Sequence, residues 1–225
     1  MNRTDKDKEK EHYLKALHFG WLTPFYDFLI SHGTKEVLFK GHLIGQAQLQ
    51  PGFRVLDVGC GTGTLLLMIK ERYADVEAVG IDGDPKILAI AKKKIDAAGI
   101  TISLHQGLAE SLPFEDSSFD RIFNSLVLHH LTRDQKRAAL TEIYRVLKKG
   151  GEMHAADWGF PHSLLMKIAF QMVRMLDGYS MTEDNYRGRL PTLFAEAGFT
   201  EGKERARFAT LFGTLSLFSA RKEGT

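Results

Sequence analysis

Residues Val55–Gly63 read VLDVGCGTG, and this stretch decides the fold. A short apolar run, Val55 to Val58, ends in a loop with three glycines, and an apolar helical pattern begins at Leu65. An apolar run bounded by glycines predicts a strand buried in a parallel sheet. Glycines let the backbone pass close to a ligand, and the first turn of the following helix offers unpaired N–H groups. The stretch therefore predicts a strand, a ligand-binding loop and a helix.

The same strand–helix pattern recurs downstream. The second helix is the best defined, since Asp84 can cap it, Pro85 suits its first turn and Gly99 can end it at about Ala98. Such alternation predicts βαβ units and a mostly parallel sheet. The other predicted strands cover 76–81, 101–105, 119–125 and 151–157, the last after a turn at 149–151, and the other predicted helices cover 65–73 and 132–147.

The pattern changes after Asp157. Helices are predicted over His162–Leu176 and Glu183–Ala197, followed by closing strands over Glu204–Thr210 and Thr214–Ala220. The short turn between these strands leaves no room for a crossover helix, so they should pair antiparallel. The predicted fold is a Rossmann-like, doubly wound, mostly parallel seven-stranded sheet with an antiparallel C-terminal strand and an N-terminal helical cap.

The composition fits one domain and excludes several classes of function. Hydrophobic residues make up 44% of the 225 residues, enough for a sizeable core. A net charge of only +2 gives no reason to expect a nucleic-acid partner. The single cysteine, Cys60, leaves no intramolecular disulfide. The charged start is unlike a signal peptide, and no segment has the roughly 18 apolar residues of a membrane span, so we expect a soluble cytoplasmic protein.

Two carboxylates point to the class of ligand. Asp82 ends the second strand about 20 residues after the glycine loop, where a carboxylate can accept hydrogen bonds from both ribose hydroxyls of an adenosine group. Asp57 precedes the first glycine, where it would repel a pyrophosphate but could bind an ammonium group. S-adenosylmethionine carries an ammonium and NAD does not, and the glycines at 59, 61 and 63 depart from the G-x-G-x-x-G dinucleotide pattern. An NAD-dependent oxidoreductase is the less favoured interpretation.

The stretch VLDVGCGTG resembles the first motif of class I S-adenosylmethionine-dependent methyltransferases. The similarity continues through VGIDGDP (Val79–Pro85), QGLAESLPFEDSSFDRIFNSLVLHHL (Gln106–Leu131) and EIYRVLKKGGEMHAADW (Glu142–Trp158). Within the family, the closest likeness is to enzymes acting on small molecules and lipids, such as quinone C-methyltransferases and phosphatidylethanolamine N-methyltransferases. The resemblance implies S-adenosylmethionine as methyl donor and S-adenosylhomocysteine as product.

The resemblance also implies roles for single residues. Asp57 would hold the donor's ammonium, Asp82 its ribose, and Asn124 would lie near its methionine portion. Leu108 departs from the family, since many relatives have there an Asp that can accept from the adenine amino group. Tyr26 lies in a segment that closes over the donor in similar enzymes, with helix packing as the alternative. The other expected donor contacts are the loop residues Gly59, Cys60, Gly61, Thr62 and Gly63, with Gly83, Ala109 and Glu110 around the adenine.

Candidates for chemistry beyond donor binding are few. His129 and His130 follow the fourth strand, and an imidazole there could act as a general base; a structural role in the connection is the alternative. Cys60 is interpreted as a packing residue. The nine histidines show no metal-ligand spacing, so no metal is expected.

The organisation implied is a single methyltransferase domain over 1–225. It comprises a disordered tail (about 1–10), a helical cap (about 11–50), a donor-binding core (about 51–158) and acceptor-side helices and closing strands (about 159–225). The Met- and aromatic-rich stretch from Phe160 to Met181 could cover an apolar acceptor or pack on the sheet, and Trp158 could line the acceptor pocket or pack. We expect a small, partly apolar acceptor, with a quinone or lipid possible. The alternative is a non-catalytic module that binds S-adenosylmethionine for a partner protein.

Overall fold

The computed structural model describes residues 36–224. The predicted tail, Tyr26 and most of the predicted helical cap lie outside these residues. The helices are α1 (Glu36–Gln46), α2 (Thr64–Arg72), α3 (Pro85–Ala98), α4 (Arg133–Val146), α5 (Leu164–Asp177), α6 (Tyr179–Tyr186) and α7 (Leu190–Glu196). The strands are β1 (Arg54–Val58), β2 (Glu77–Asp82), β3 (Ser103–Gln106), β4 (Phe119–Ser125), β5 (Leu147–Trp158), β6 (Thr200–Thr210) and β7 (Gly213–Arg221).

The strands form one seven-stranded sheet in the order β3-β2-β1-β4-β5-β7-β6. The first five strands of the chain pair in parallel, and β7 is antiparallel to both of its neighbours. The predicted Rossmann-like sheet and its antiparallel closing pair are therefore confirmed. Helix α3 also begins and ends as predicted: Asp84 Oδ1 accepts from the Lys86 N–H at 2.8 Å, and Gly99 adopts the left-handed conformation.

Helices cover both faces of the sheet. On one face α1, α2 and α5 contribute Phe39, Leu65 and Phe170 to an apolar cluster. On the other face α4 and α7 bury Leu140 and Phe194 against the sheet. Because both faces are covered, β1 is apolar apart from Arg54 at its start and Asp57, as expected for a strand buried on both sides.

The turn predicted at 149–151 is wrong, because β5 runs through it from Leu147. Phe119 of β4 pairs with Leu147, but Arg121 pairs with Glu152, so the extra residues form a bulge. Gly150, with a φ of +75°, allows the backbone to bulge without leaving the sheet. A Lys-Gly-Gly run looks the same in sequence whether it ends a strand or bends one.

The single helix predicted over 183–197 is also wrong. The chain forms α6 and α7 instead, with a break at Gly188, whose φ is +66°. A left-handed glycine ends the first helix, and Pro191 fits the first turn of the second because it needs no N–H partner there. The apolar residues keep a helical spacing across the break, so the sequence pattern did not indicate it.

Between residues 36 and 224, no helix combines the length and the apolar character required to cross a membrane.

Candidate functional site

The candidate site lies at the point where the order of the strands in the sheet reverses. The chain leaves β1 toward β2 on one side, whereas β4 lies on the other side of β1 and leads to β5. Ligands of doubly wound sheets bind beyond the carboxyl ends of the strands at such a switch point. The residues that follow β1, β2, β4 and β5 meet at this edge.

Backbone hydrogen bonds fix the glycine loop after β1 to the end of β2. The N–H groups of Gly59 and Cys60 both donate to the Ile81 carbonyl, at 2.8 and 3.0 Å. Gly59, Gly61 and Gly63 all have positive φ. A Cβ on Gly59 would lie 2.3 Å from Val127 Cγ2, whereas one on Gly61 would meet no atom within 4 Å. The loop therefore packs tightly on the β4 connection at Gly59 and faces open space at Gly61.

Asp82 connects this loop to the end of β2. Its Oδ2 accepts from the Gly61 N–H and its Oδ1 from the Asp84 N–H, both at 2.9 Å. The side chain remains partly exposed at the carboxyl edge. One carboxylate thus fixes the loop and remains accessible to a ligand.

Asp57 is a buried carboxylate beside the loop. The residue is 1% exposed, and its Oδ1 has no hydrogen-bond partner among residues 36–224. Burial raises the pKa of Asp57 to about 7, opposed by the nearby Lys40 ammonium and reinforced by Asp82. A buried carboxylate oxygen with a free acceptor position is suited to a cationic ligand group.

Asn124 supplies a second free acceptor at this edge. Its Nδ2 donates to the Val58 carbonyl at 3.1 Å, and its Oδ1 has no partner in the described part of the chain. The free oxygens of Asp57 and Asn124 lie on adjacent, paired strands. Each is an acceptor available to a ligand at the carboxyl edge of the sheet.

The remaining predicted donor contacts differ in what they face. Thr62 accepts from the Lys94 ammonium at 2.9 Å. Cys60 is buried, and burial together with Asp57 raises the pKa of its thiol well above the ordinary value, so the thiol stays neutral and packs. Leu108 is exposed, whereas Ala109 packs partly against the core. Gly83 and Glu110 are half-buried beside them.

A second polar group lies beyond β4 and β5, around His129. His129 Nδ1 contacts Asp157 Oδ1 at 2.9 Å, and both side chains are buried. The same carboxylate oxygen accepts from the Trp158 N–H at 2.7 Å and from Asn185 Nδ2 at 2.9 Å. Asp157 is thus the centre of a buried network that joins β5, α6 and the turn after β4.

Each member of this pair shifts the pKa of the other toward the charged form. Burial alone would lower the pKa of His129, but the carboxylates of Asp157 and Asp177 raise it above its ordinary value. Burial would raise the pKa of Asp157, but the charge and hydrogen bond of His129 hold it below its usual range.

His130 differs from its neighbour in access. Its side chain is 46% exposed, and its Nδ1 lies 3.7 Å from Asp177 Oδ1. His129 Nε2 lies 3.7 Å from the other oxygen of Asp177. Asp177 ends α5, nearly fifty residues away in sequence, so no local spacing pointed to it. Asp157, Asp177 and Asn185 are therefore members of this candidate site that sequence reasoning did not assign to it.

Trp158 is buried between this group and α5. It is 1% exposed, and its ring packs against His129, with centroids 6.2 Å apart, and against Phe170 of α5, with centroids 5.7 Å apart. Of the two roles considered for Trp158, the structure has the packing one.

Comparison with known proteins agrees with this geometry. Residues 55–151 match the methyltransferase domain family. The chain is 34% identical to the ubiquinone/menaquinone biosynthesis C-methyltransferase UbiE of Xanthomonas campestris, covering 86% of this chain and 84% of that protein. It is 33% identical to the demethylmenaquinone methyltransferase of Thermus thermophilus, covering 69% and 72%.

A solved structure shares the fold. Phosphoethanolamine N-methyltransferase 2 of Haemonchus contortus, in complex with S-adenosyl-L-methionine, matches with a TM-score of 0.66 and 17% identity, covering 82% of this chain and 52% of that chain. At this identity the likeness shows the fold alone.

Proposed function

Because the chain belongs to the class I S-adenosylmethionine-dependent methyltransferases, in the group that includes the ubiquinone/menaquinone C-methyltransferases, we propose that it methylates a ring carbon of a reduced quinone. The observation that carries the proposal is the 34% identity to such an enzyme over 86% of this chain. That match is far longer than the domain match at 55–151, so the likeness extends well beyond that segment.

The donor would be held at three points. Asp57 and Asn124 would bind the ammonium and methionine end through their free oxygens. Asp82 would accept from the ribose hydroxyls, and the backbone of Gly61 would approach the donor where no side chain intervenes. The remaining predicted contacts are Gly59, Cys60, Thr62, Gly63, Gly83, Leu108, Ala109, Glu110 and, outside the described residues, Tyr26.

The reaction asks little of the protein beyond alignment and proton handling. S-adenosylmethionine supplies an activated methyl group on a sulfonium, which leaves as a neutral thioether. The acceptor carbon must approach in line with the methyl–sulfur bond, in a site that excludes water. A ring carbon also loses its own proton after methylation, and one base is enough to accept it.

His130 is the group we propose for that proton. It is the exposed member of the histidine pair, so it can touch an acceptor, whereas His129 is buried and would position it through the Asp177 carboxylate. Partial burial and the neighbouring His129 lower the pKa of His130 to about 3, so it is unprotonated at neutral pH but a weak base. Its removal should cost about 10²-fold in rate, the low end of the range for a general base. Replacement of His130 by Gln should therefore lower kcat while leaving the Kd for the donor unchanged.

Helix α5 supports an acceptor with an apolar tail. Its inner face packs on the sheet through Phe170 and Val173. Its outer face exposes large apolar side chains, and its last residue, Asp177, contacts His130. The exposed apolar residues are Leu164, Leu165, Ile168, Met172, Met175 and Leu176. A ring bound near His130 could therefore lay a prenyl tail along α5.

The test of the acceptor is turnover on a panel of chemically distinct compounds. We expect methyl transfer from labelled donor to reduced naphthoquinones and benzoquinones, with the label on carbon by NMR, and none to amines, thiols or nucleic acid. Ile168→Glu should raise KM for a prenylated quinol but not for its tailless analogue, and Lys167→Glu on the same helix serves as the matched control. Transfer only to nitrogen, sulfur or a macromolecule would overturn the proposal.

Donor affinity should depend on pH through Asp57. With a pKa of about 7 the carboxyl is neutral in acid, and a neutral carboxyl cannot pair with the donor's ammonium. The Kd should therefore be about 30-fold higher at pH 5.5 than at pH 8, because each pH unit below the pKa reduces the ionised fraction tenfold. Isothermal titration with S-adenosylhomocysteine measures it.

The control is Asp57→Asn, which should bind more weakly at pH 8 and show a flat profile over this range. The same variant tests whether ionisation of Asp57 lowers the free energy of unfolding. Because the folded pKa of Asp57 exceeds the unfolded value near 3.8, ionisation costs stability as the pH rises from about 4 to 7. Unliganded Asp57→Asn should thus be more stable than the parent at pH 8. A pH-dependent Kd in the variant would show that another group is responsible.

A further inference from the structure

We propose that His129, His130 and Asp177 form a binding site for a divalent transition-metal ion. The three side chains converge from two separate parts of the chain, the turn after β4 and the end of α5. Each can offer one ligand atom, and these atoms all lie within 4.8 Å of one another. The inference concerns binding, and it can be tested whatever the acceptor is.

The distances suit a metal ion better than direct hydrogen bonds. His129 Nε2 and His130 Nδ1 each lie 3.7 Å from an oxygen of Asp177, which is beyond hydrogen-bond range. Two ligands of a tetrahedral zinc ion, each about 2.1 Å from it, lie about 3.4 Å apart. The ligand atoms, which lie within 4.8 Å of one another, therefore need to draw together by about an ångström to coordinate one ion.

A buried carboxylate oxygen in this group lacks a partner. Asp177 Oδ2, the oxygen that faces His129 Nε2, has no hydrogen bond among residues 36–224. A bound cation would give this buried oxygen a partner.

His129 is oriented as a metal ligand would be. Asp157 contacts its Nδ1 at 2.9 Å and so directs Nε2 toward Asp177. Metal-binding histidines commonly donate their second N–H to a carboxylate, which fixes the ring and raises its basicity. Asn185 and the Trp158 N–H hold that carboxylate in turn. The support for the ligand is therefore already in place.

The set of donor atoms indicates the class of metal. Two imidazole nitrogens and one carboxylate oxygen favour zinc and its first-row neighbours over magnesium or calcium, which prefer oxygen ligands. The exposed side of His130 leaves room for a fourth ligand. Coordination and proton acceptance exclude each other at His130, because a neutral imidazole that binds a metal through Nδ1 carries its proton on Nε2.

The experiment uses the full chain, freed of metal with a chelator and titrated with Co²⁺. We expect one ion per chain with a visible absorption band in the range of four- or five-coordinate cobalt, displaced by Zn²⁺ and not by Mg²⁺. Because the chain has nine histidines, variants assign the site. Asp177→Asn and His130→Gln should each weaken binding by tenfold or more, whereas His105→Gln, on the exposed edge strand β3, should not.

His130 is exposed, so its variant should keep the fold, and thermal unfolding checks this for all three. The proposal is overturned if no absorption band develops, or if the affinity of His130→Gln and Asp177→Asn equals that of the parent. Because the readout is metal binding, its failure is separate from failure of the acceptor panel.

Discussion

The variant Asp82→Ala should lose the methyl donor almost completely. The carboxylate would accept from two ribose hydroxyls, and each hydrogen bond to a charged group contributes about 1.5–3 kcal/mol. Its loss also frees the Gly61 N–H, which Asp82 Oδ2 holds at 2.9 Å, so the loop becomes less ordered. We expect the Kd for S-adenosylhomocysteine to rise at least about 100-fold, since each 1.4 kcal/mol is a factor of ten. Isothermal titration measures it directly.

The matched control is Glu77→Ala at the opposite end of the same strand. Glu77 forms an exposed ion pair with Arg54, far from the carboxyl edge, so its removal should change the Kd less than twofold. Asp82→Asn, which keeps one acceptor oxygen, should fall between the parent and Asp82→Ala. If Asp82→Ala stays folded and binds the donor as the parent does, Asp82 is not the ribose ligand.

The largest effect on stability is expected for Asp157→Ala. Asp157 is fully buried, and one of its oxygens accepts from His129, Asn185 and the Trp158 N–H. Removing one partner of a buried ion pair costs about 3–5 kcal/mol, because the remaining charge loses its compensation. For a chain of this size, that corresponds to a drop in Tm of about 10 °C. Chemical denaturation and calorimetry measure the two quantities.

Two further variants test whether loss of the buried charge causes the drop in stability. Asp157→Asn keeps an acceptor of the same shape but removes the charge, so it should lose roughly half as much stability. Asp96→Ala removes an exposed carboxylate paired with Lys92, and should change the free energy of unfolding by less than about 0.5 kcal/mol. Equal losses in Asp157→Ala and Asp96→Ala would contradict the buried network described here.

The elements that were predicted correctly are those whose ends are set by residues close to them in the sequence. Helix α3 has Asp84, Pro85 and Gly99 at its ends, and each acts within a turn of its own position. The parallel core follows from apolar runs that alternate with amphipathic ones. The errors fall at glycines that are compatible with two structures. At Gly150 a strand bulges where a turn was predicted, and at Gly188 a segment that was predicted as one helix breaks into two.

The residues proposed to bind the donor could be identified from the sequence for the same reason. Its residues follow directly from the ends of β1, β2 and β4, and those ends meet wherever the strands are parallel and adjacent. The acceptor side was less accessible. His129 and His130 stood out as a pair, but Asp157, Asp177 and Asn185 lie on three different elements.

The sequence by itself determined the order of strands and helices, the glycine loop, and the class of donor, through VLDVGCGTG and Asp82. These depend on turn chemistry and short-range periodicity, which a few consecutive residues fix. Only the tertiary structure decided that Asp177 meets His129 and His130, and that Asp57 and Asn124 keep free oxygens at one edge. Such contacts depend on the packing of distant segments, and burial sets their charges, so no local pattern encodes them.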